Sequence, residues 1–201
     1  MTPFTTLTSV AVPIIGDNID TDTIIPSREM RSTGRTGLAD GLFAPWRYRD
    51  VDRRLADTEF PLNRPESAGA RLLLGGANFG CGSSREHAVW ALKEYGIDCI
   101  IAESLAPIFR ANCIRNGLLP VELPGEAIKL MAWHVVTVDL ESCRVIDGAV
   151  VRAFAIDDEA RAMLLEGLDV IDLTLKQGKA IAAWQKADRE VRPWVYLEKC
   201  P

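Results

Sequence analysis

Apolar and polar positions divide this chain into segments of two periods. Residues 70–74 and 98–102 are short, almost wholly apolar runs that read as buried strands. Between them Ala88, Ala91, Leu92 and Tyr95 recur at i, i+3, i+4 and i+7, which predicts a helix over 84–95, closed by Gly96. Strand, helix and strand in that order make a βαβ unit with a right-handed parallel crossover. Residues 106–114 form a further helix with Pro107 in its first turn and Asn116-Gly117 at its end, and 118–123 a further strand. Residues 125–133 have helical composition. The pattern then changes: 135–140, 144–146 and 149–156 read as strands, with Asp147-Gly148 marking the hairpin between the last two. A helix to Leu168, capped by Asp157 or Asp158, and another over 179–188 complete the chain. At the other end 7–15 reads as a half-buried strand closed by Pro13 and Gly16. The pattern predicts an α/β protein, and neither a repeat nor a linker divides residues 1–201 into domains.

Two segments lack a clear period. Asp17, Asn18, Asp20, Thr21, Asp22 and Thr23 are residue types that bond their own backbone in turns; the alternative is that Asp20 or Asp22 lines a cleft. Residues 27–54 hold Arg28, Arg31, Arg35, Arg47, Arg49, Arg53 and Arg54, broken by glycines, and a loop this long in a compact domain is usually functional or mobile.

Chemistry concentrates in residues 75–87, GGANFGCGSSREH. Gly75, Gly76, Gly80 and Gly82 let the backbone turn N–H groups toward a guest, and the helix that follows adds positive charge at its start. The favoured guest is an anion. A serine hydroxyl reaches the alkoxide state where a guanidinium and several N–H donors converge on its oxygen, which makes Ser83 a candidate base beside Arg85. Arg85 also matches two carboxylate oxygens with its planar fork. The competing reading is a capping box, Ser83-x-x-Glu86, in which the serine only caps the helix. Cys81 sits where a thiolate is favoured or, more simply, where a small residue is tolerated.

Composition narrows the partners. At 201 residues, 48% hydrophobic and 25% charged, the chain can build a substantial core, and a net charge of -5 without a basic run argues against nucleic acid or an anionic membrane surface. No apolar stretch approaches the ~18 residues that cross a bilayer, and the N-terminus lacks a signal-peptide pattern, so a cytoplasmic location is expected. Cys81, Cys99, Cys113, Cys143 and Cys200 form no C-x-x-C pair, and His87 and His134 have no partner acids at ligand spacing. No metal site is therefore expected on this chain.

NFGCGSSREHA at 78–88, with NIDTDTIIP at 18–26, GRTGLADGLFAPWRY at 34–48, and NGLLPV and GLDVIDLTL downstream, resembles the small subunits of 3-isopropylmalate dehydratase, relatives of the mobile C-terminal domain of aconitase. The resemblance spans nearly the whole chain. It implies a swivelling β/β/α domain with a mixed sheet, the βαβ unit carrying the active-site loop, and a C-terminal helical extension. It further implies Ser83 as the catalytic base and Gly82, Ser84, Arg85, Asp20, Asp22 and Arg35 as substrate-binding residues. The chain itself is expected to bind no cofactor. A large subunit carrying a [4Fe–4S] cluster is the implied partner, and a small dicarboxylate the implied substrate. In the resembling family the 27–54 region reads the group on the substrate's C3 carbon. Ser27-Arg28-Glu29-Met30 is more polar here, which leaves siblings acting on homoaconitate, citraconate or a dimethylmalate open, along with a non-catalytic dicarboxylate-binding module.

Overall fold

The computed structural model describes residues 1–30 and 34–196; Arg31 of the arginine-rich segment and Cys200 lie outside them. The chain runs through β1 (Thr6–Ile14), the short helices α1 (Thr21–Ile24) and α2 (Ala44–Arg47), and a two-stranded ribbon of β2 (Tyr48–Asp50) and β3 (Leu55–Ala56). The predicted βαβ unit follows as β4 (Leu72–Gly75), α3 (Glu86–Tyr95) and β5 (Cys99–Ala102), then α4 (Pro107–Arg115), β6 (Leu119–Glu122) and α5 (Gly125–Leu130). A meander of β7 (Val135–Asp139), β8 (Arg144–Asp147) and β9 (Val150–Ala153) leads to α6 (Asp158–Glu166), α7 (Val170–Leu175) and α8 (Gly178–Val191).

Among the described residues one sheet of seven strands has the order β6-β5-β4-β1-β7-β8-β9. Pairing is parallel from β6 to β1 and antiparallel from β1 to β9, so β1 joins two halves of different character. The sequence explains the division. Residues of β4 and β5 are buried at every position, as a parallel strand covered on both faces requires, whereas β7 alternates buried with less buried ones. Successive residues of β4 serve opposite cores: Leu73 packs with α3, α4 and the 19–43 segment, and Leu72 and Leu74 pack with α5, α6 and the meander. Because β4 and β5 are parallel, both release their chains at one sheet edge, which gathers the loops after β1, β4 and β5.

Several sequence expectations are corrected. Helix α3 opens at Glu86, two residues later than its apolar period suggested, and α6 ends at Glu166 because Gly167 adopts φ +70° as its C-cap. Asp157 stands at the N-cap of α6 without capping it; its carboxylate pairs with Arg110 at 3.3 Å. Helix α7 was not predicted; a capping box between Asp169 and Asp172 starts it. Helix α8 runs longer than 179–188. Pro13 lies within β1, opposite Leu74, and does not close it. The hairpin turn comprises Gly148 and Ala149, since Asp147 pairs with Val150.

The 27–54 segment is also more ordered than its weak period implied. Leu38, Leu42 and Phe43 are fully or almost fully buried, and Met30 packs on the same core. The polar character near residue 29 has an internal use: the buried Glu29 carboxylate accepts from Arg54 Nη2 at 2.5 Å. That bond is the leading cause holding the Arg54 guanidinium above its ordinary pKa. Among the described residues no helix is long and apolar enough to cross a membrane.

Candidate active site

The glycine loop after β4 is fastened to its neighbours by contacts only glycine permits. Gly80 has φ +77°, and a Cβ there would lie 2.2 Å from the Phe109 ring of α4. Phe79, fully buried, meets the same ring edge-on at 5.7 Å. The Gly80 N–H donates to the Ile19 carbonyl at 2.7 Å, and the Thr21 N–H to the Cys81 carbonyl at 2.9 Å. On the other side the Phe79 N–H donates to the Ser104 carbonyl and the Ala106 N–H to the Phe79 carbonyl, both at 2.9 Å. Three loops at one sheet edge thus form a single platform.

On that platform lies a cavity of about 200 Å³. Thr21, Gly82, Ser83 and Arg85 line it from the loop side, and Pro107, Ile108 and Asn112 line it from the first turns of α4. Ser83 is exposed, and its hydroxyl has no hydrogen-bond partner among the described residues. Nor do the backbone N–H groups of Gly82, Ser83 and Ser84 find an acceptor among them. The capping-box reading does not hold. Arg85, whose side chain makes no capping bond, is the N-cap of α3, and the Glu86 carboxylate accepts from Asn116 Nδ2 at 2.7 Å instead of reaching back. What fixes Ser83 is its own carbonyl, which accepts from Thr21 Oγ1 at 3.0 Å and from the Arg85 N–H at 2.7 Å. The hydroxyl is therefore free while its backbone is held. Gly82, Ser83 and Arg85 line one small cavity, and a free hydroxyl, a guanidinium and unengaged N–H groups in that stretch suit a carboxylate-bearing guest.

The other predicted residues divide between the cavity and its surroundings. Ser84 is exposed beside the lining residues, and Asp22 reaches the site through an ion pair with Arg85. Asp20 caps α1, accepting from the Thr23 N–H at 2.6 Å, which is the turn role its residue type predicts. Arg35 is not brought to this cavity: its guanidinium stacks 5.1 Å from the Trp90 ring centroid, in a separate hollow with Glu94. The segment's other described arginines are largely engaged too; Arg47 stacks on Tyr95 and Arg49 pairs with Asp57. Cys81 lines the cavity half-buried. His134 pairs with Asp147 at 3.0 Å across the meander, away from the site. Sequence reasoning missed Thr21, Ile108 and Asn112. The last two stand at i and i+4 on a predicted helix, a signal that was legible once that helix was known to face the glycine loop.

Two larger hollows, about 480 and 660 Å³, flank α4 on its far side near Ala111, Ile114 and Asp157, without a comparable convergence of donors. Among the described residues no group of three or more His, Cys, Asp or Glu side chains is placed to hold a metal ion. Burial pushes the Cys99 and Cys113 thiols well up, so neither is poised as a thiolate.

A family model described as the aconitase C-terminal domain matches residues 1–126. The chain is 53% identical over 207 aligned residues to the 3-isopropylmalate dehydratase small subunit of Cupriavidus necator, covering 98% of this chain and 100% of that protein. It is 46% identical to the protein of the same name in Mesorhizobium japonicum, covering 96% and 100%. The crystal structure of 3-isopropylmalate dehydratase from Methanocaldococcus jannaschii superposes with a TM-score of 0.67 at 30% identity, covering 90% of this chain and 99% of that one.

Proposed function

Because the chain belongs to the family of 3-isopropylmalate dehydratase small subunits, we propose that its cavity is half of an active site, the half that holds the base and grips a carboxylate. As a family member it is a hydro-lyase subunit of leucine biosynthesis, interconverting 2- and 3-isopropylmalate by dehydration and rehydration. The relatives' names favour this substrate over the sibling acids. In the forward half-reaction the Ser83 alkoxide takes the proton from the carbon next to a substrate carboxylate, the carbon–oxygen bond at the adjacent carbon breaks, and alkene and hydroxide result. Rehydration at the other carbon returns a proton from the Ser83 hydroxyl and gives the isomer. Arg85 and the Gly82–Ser84 N–H groups stabilise negative charge on the serine oxygen and on the carboxylate.

Hydroxide is a poor leaving group, and an iron–sulfur cluster, when bound, supplies the Lewis acid it needs. The cysteines described in this chain do not fit such a cluster: Cys99 and Cys113 are buried in separate hydrophobic cores, and Cys81 and Cys143 share no ligand group with them. We therefore assign the cluster to the large subunit, which would close the cavity over Ser83 and the dicarboxylate. The net charge of -5 supports a partner set without nucleic acid or membrane, and biosynthetic relatives support the cytoplasm. That α7 and α8 bury none of their residues supports reading them as a helical extension on a single swivelling domain spanning residues 1–201.

One observation carries the reading: a backbone-anchored serine whose hydroxyl and neighbouring N–H groups are left unengaged beside a guanidinium. Reconstitution with a large iron–sulfur subunit tests it. Turnover of 3-isopropylmalate by the pair, and by neither subunit alone, is expected. Dicarboxylate binding with no gain of activity on adding the partner would make the chain a binding module, and preference for homoaconitate or citraconate would move it to a sibling enzyme.

A further inference from the structure

The α4 side of the cavity takes no part in the reaction described so far. It is one face of α4, where Ile108 and Asn112 stand four residues apart and therefore one above the other. Asn112 is only 6% exposed, yet its side-chain amide has no hydrogen-bond partner among the described residues. The side-chain atom both sealed and unpartnered among those residues is Arg152 Nη1, so the Asn112 amide is not sealed off, and the cavity is the opening that Asn112 lines. A nearly buried amide without a protein partner is costly unless something else satisfies it. Ile108 has the opposite character: it is 55% exposed, a large apolar side chain standing at the same cavity.

The chemistry of the substrate asks for this pairing. The proton leaves a carbon next to a carboxylate, and the branched alkyl group sits on that carbon or the adjacent one. Whatever faces the base across the substrate must accommodate both an alkyl group and charged oxygens. No described residue of the 27–54 segment lines the cavity, and α4 is the helix that shares it with the glycine loop. Resting on the assignment of Ser83 as base, we propose that this face of α4 recognises the substrate, Asn112 Nδ2 donating to a carboxylate oxygen while the Ile108 side chain packs on the branched alkyl group.

The test uses the reconstituted two-subunit enzyme with 3-isopropylmalate and with the analogue carrying methyl in place of isopropyl. Ile108→Ala removes the apolar contact and Ile108→Phe fills its space. Each is expected to lower kcat/KM for the isopropyl substrate about tenfold or more and to affect the methyl analogue far less. Asn112→Ala should lower kcat/KM for both substrates about tenfold, and Asn112→Asp more, chiefly through KM, because it sets a carboxylate against a carboxylate. A role confined to folding would not order the two Asn112 variants by charge. Ile108 is exposed, so its variants keep the test alive should an Asn112 variant fail to fold. Equal losses on both substrates in the Ile108 variants, or no loss, overturn the proposal, as does wild-type KM in a folded Asn112→Asp. Ser83→Ala assayed in parallel separates the two levels. If it retains turnover, the base assignment fails whatever α4 does; if it is inactive and Ile108→Ala fails to discriminate, only the α4 assignment falls.

Discussion

Two sets of backbone N–H groups lie near opposite ends of α3, and only one is filled from within the chain. By the last turn, the N–H groups of Gly37, Leu38 and Ala39 converge on the Glu94 carboxylate at 2.6, 2.5 and 2.9 Å. Before the first turn, those of Gly82, Ser83 and Ser84 meet no acceptor among the described residues. The nearby carboxylates are directed elsewhere, Asp20 to the Thr23 N–H and Asp22 to Arg85. Both sets are oriented dipoles that favour negative charge. Where the fold brings its own anion the result is a pinned loop; where it directs its acids elsewhere, the N–H groups stay unengaged among the described residues. An N–H cluster alone thus says nothing about function until the internal acids have been accounted for.

The contrast is broken most sharply by Ser83→Ala. Loss of a positioned base should lower kcat of the reconstituted enzyme about a thousandfold. The melting temperature should not move, because the hydroxyl has no protein partner to lose. Turnover within tenfold of wild type would make the serine a bystander. Next is Gly80→Ala, which strikes the framework of the unengaged set and spares the filled one. With φ +77° and Phe109 at 2.2 Å, the added methyl should cost about 3 kcal/mol in denaturant unfolding. A loss under ~1 kcal/mol would mean that the loop moves off α4 easily. Arg85→Lys should be milder, lowering kcat/KM about ten- to a hundredfold, because an ammonium can still pair with Asp22 but cannot grip two oxygens. An unchanged KM would remove the carboxylate-binding role.

What the sequence made legible was local. The βαβ unit, its glycine loop and the position of that loop at the carboxyl edge all follow from apolar runs and a single helical period. Ser-x-x-Glu imitates a cap at the start of α3, and the Ser83 backbone is held instead by Thr21, 62 positions earlier. The loop at 37–39 looked unstructured because its anchor, Glu94, lies 55 to 57 residues away. Arg35 carried a role by resemblance, yet its stacking partner Trp90 is equally remote. Asn112 stayed hidden because an asparagine on a helix gives no hint of whether its amide is satisfied. In each case the deciding fact was a pairing between distant segments, which no periodicity encodes.

The filled set gives the smallest prediction and the cleanest control. Burial opposes the charge on Glu94, and the three N–H donors overcome it, holding the carboxyl below its ordinary 4.5. A carboxyl held low in the folded state contributes stability above its unfolded pKa and loses it as the pH falls through the folded one. From neutrality down to about the ordinary carboxylate range the 37–39 loop should therefore stay pinned, and below it the loop should be released. Glu94→Gln should cost about 1 kcal/mol at neutral pH, because neutral bonds replace charge-assisted ones at an exposed, screened site. Amide exchange at Gly37, Leu38 and Ala39 reports the effect. Their protection, corrected for intrinsic rate, should fall with acid in the wild type and stay low and flat in Glu94→Gln. Amides of Gly82, Ser83 and Ser84 should be unprotected in the free chain at every pH and gain protection only when dicarboxylate and large subunit are both present. Protection there in the free chain would show that some internal acceptor fills both sets alike.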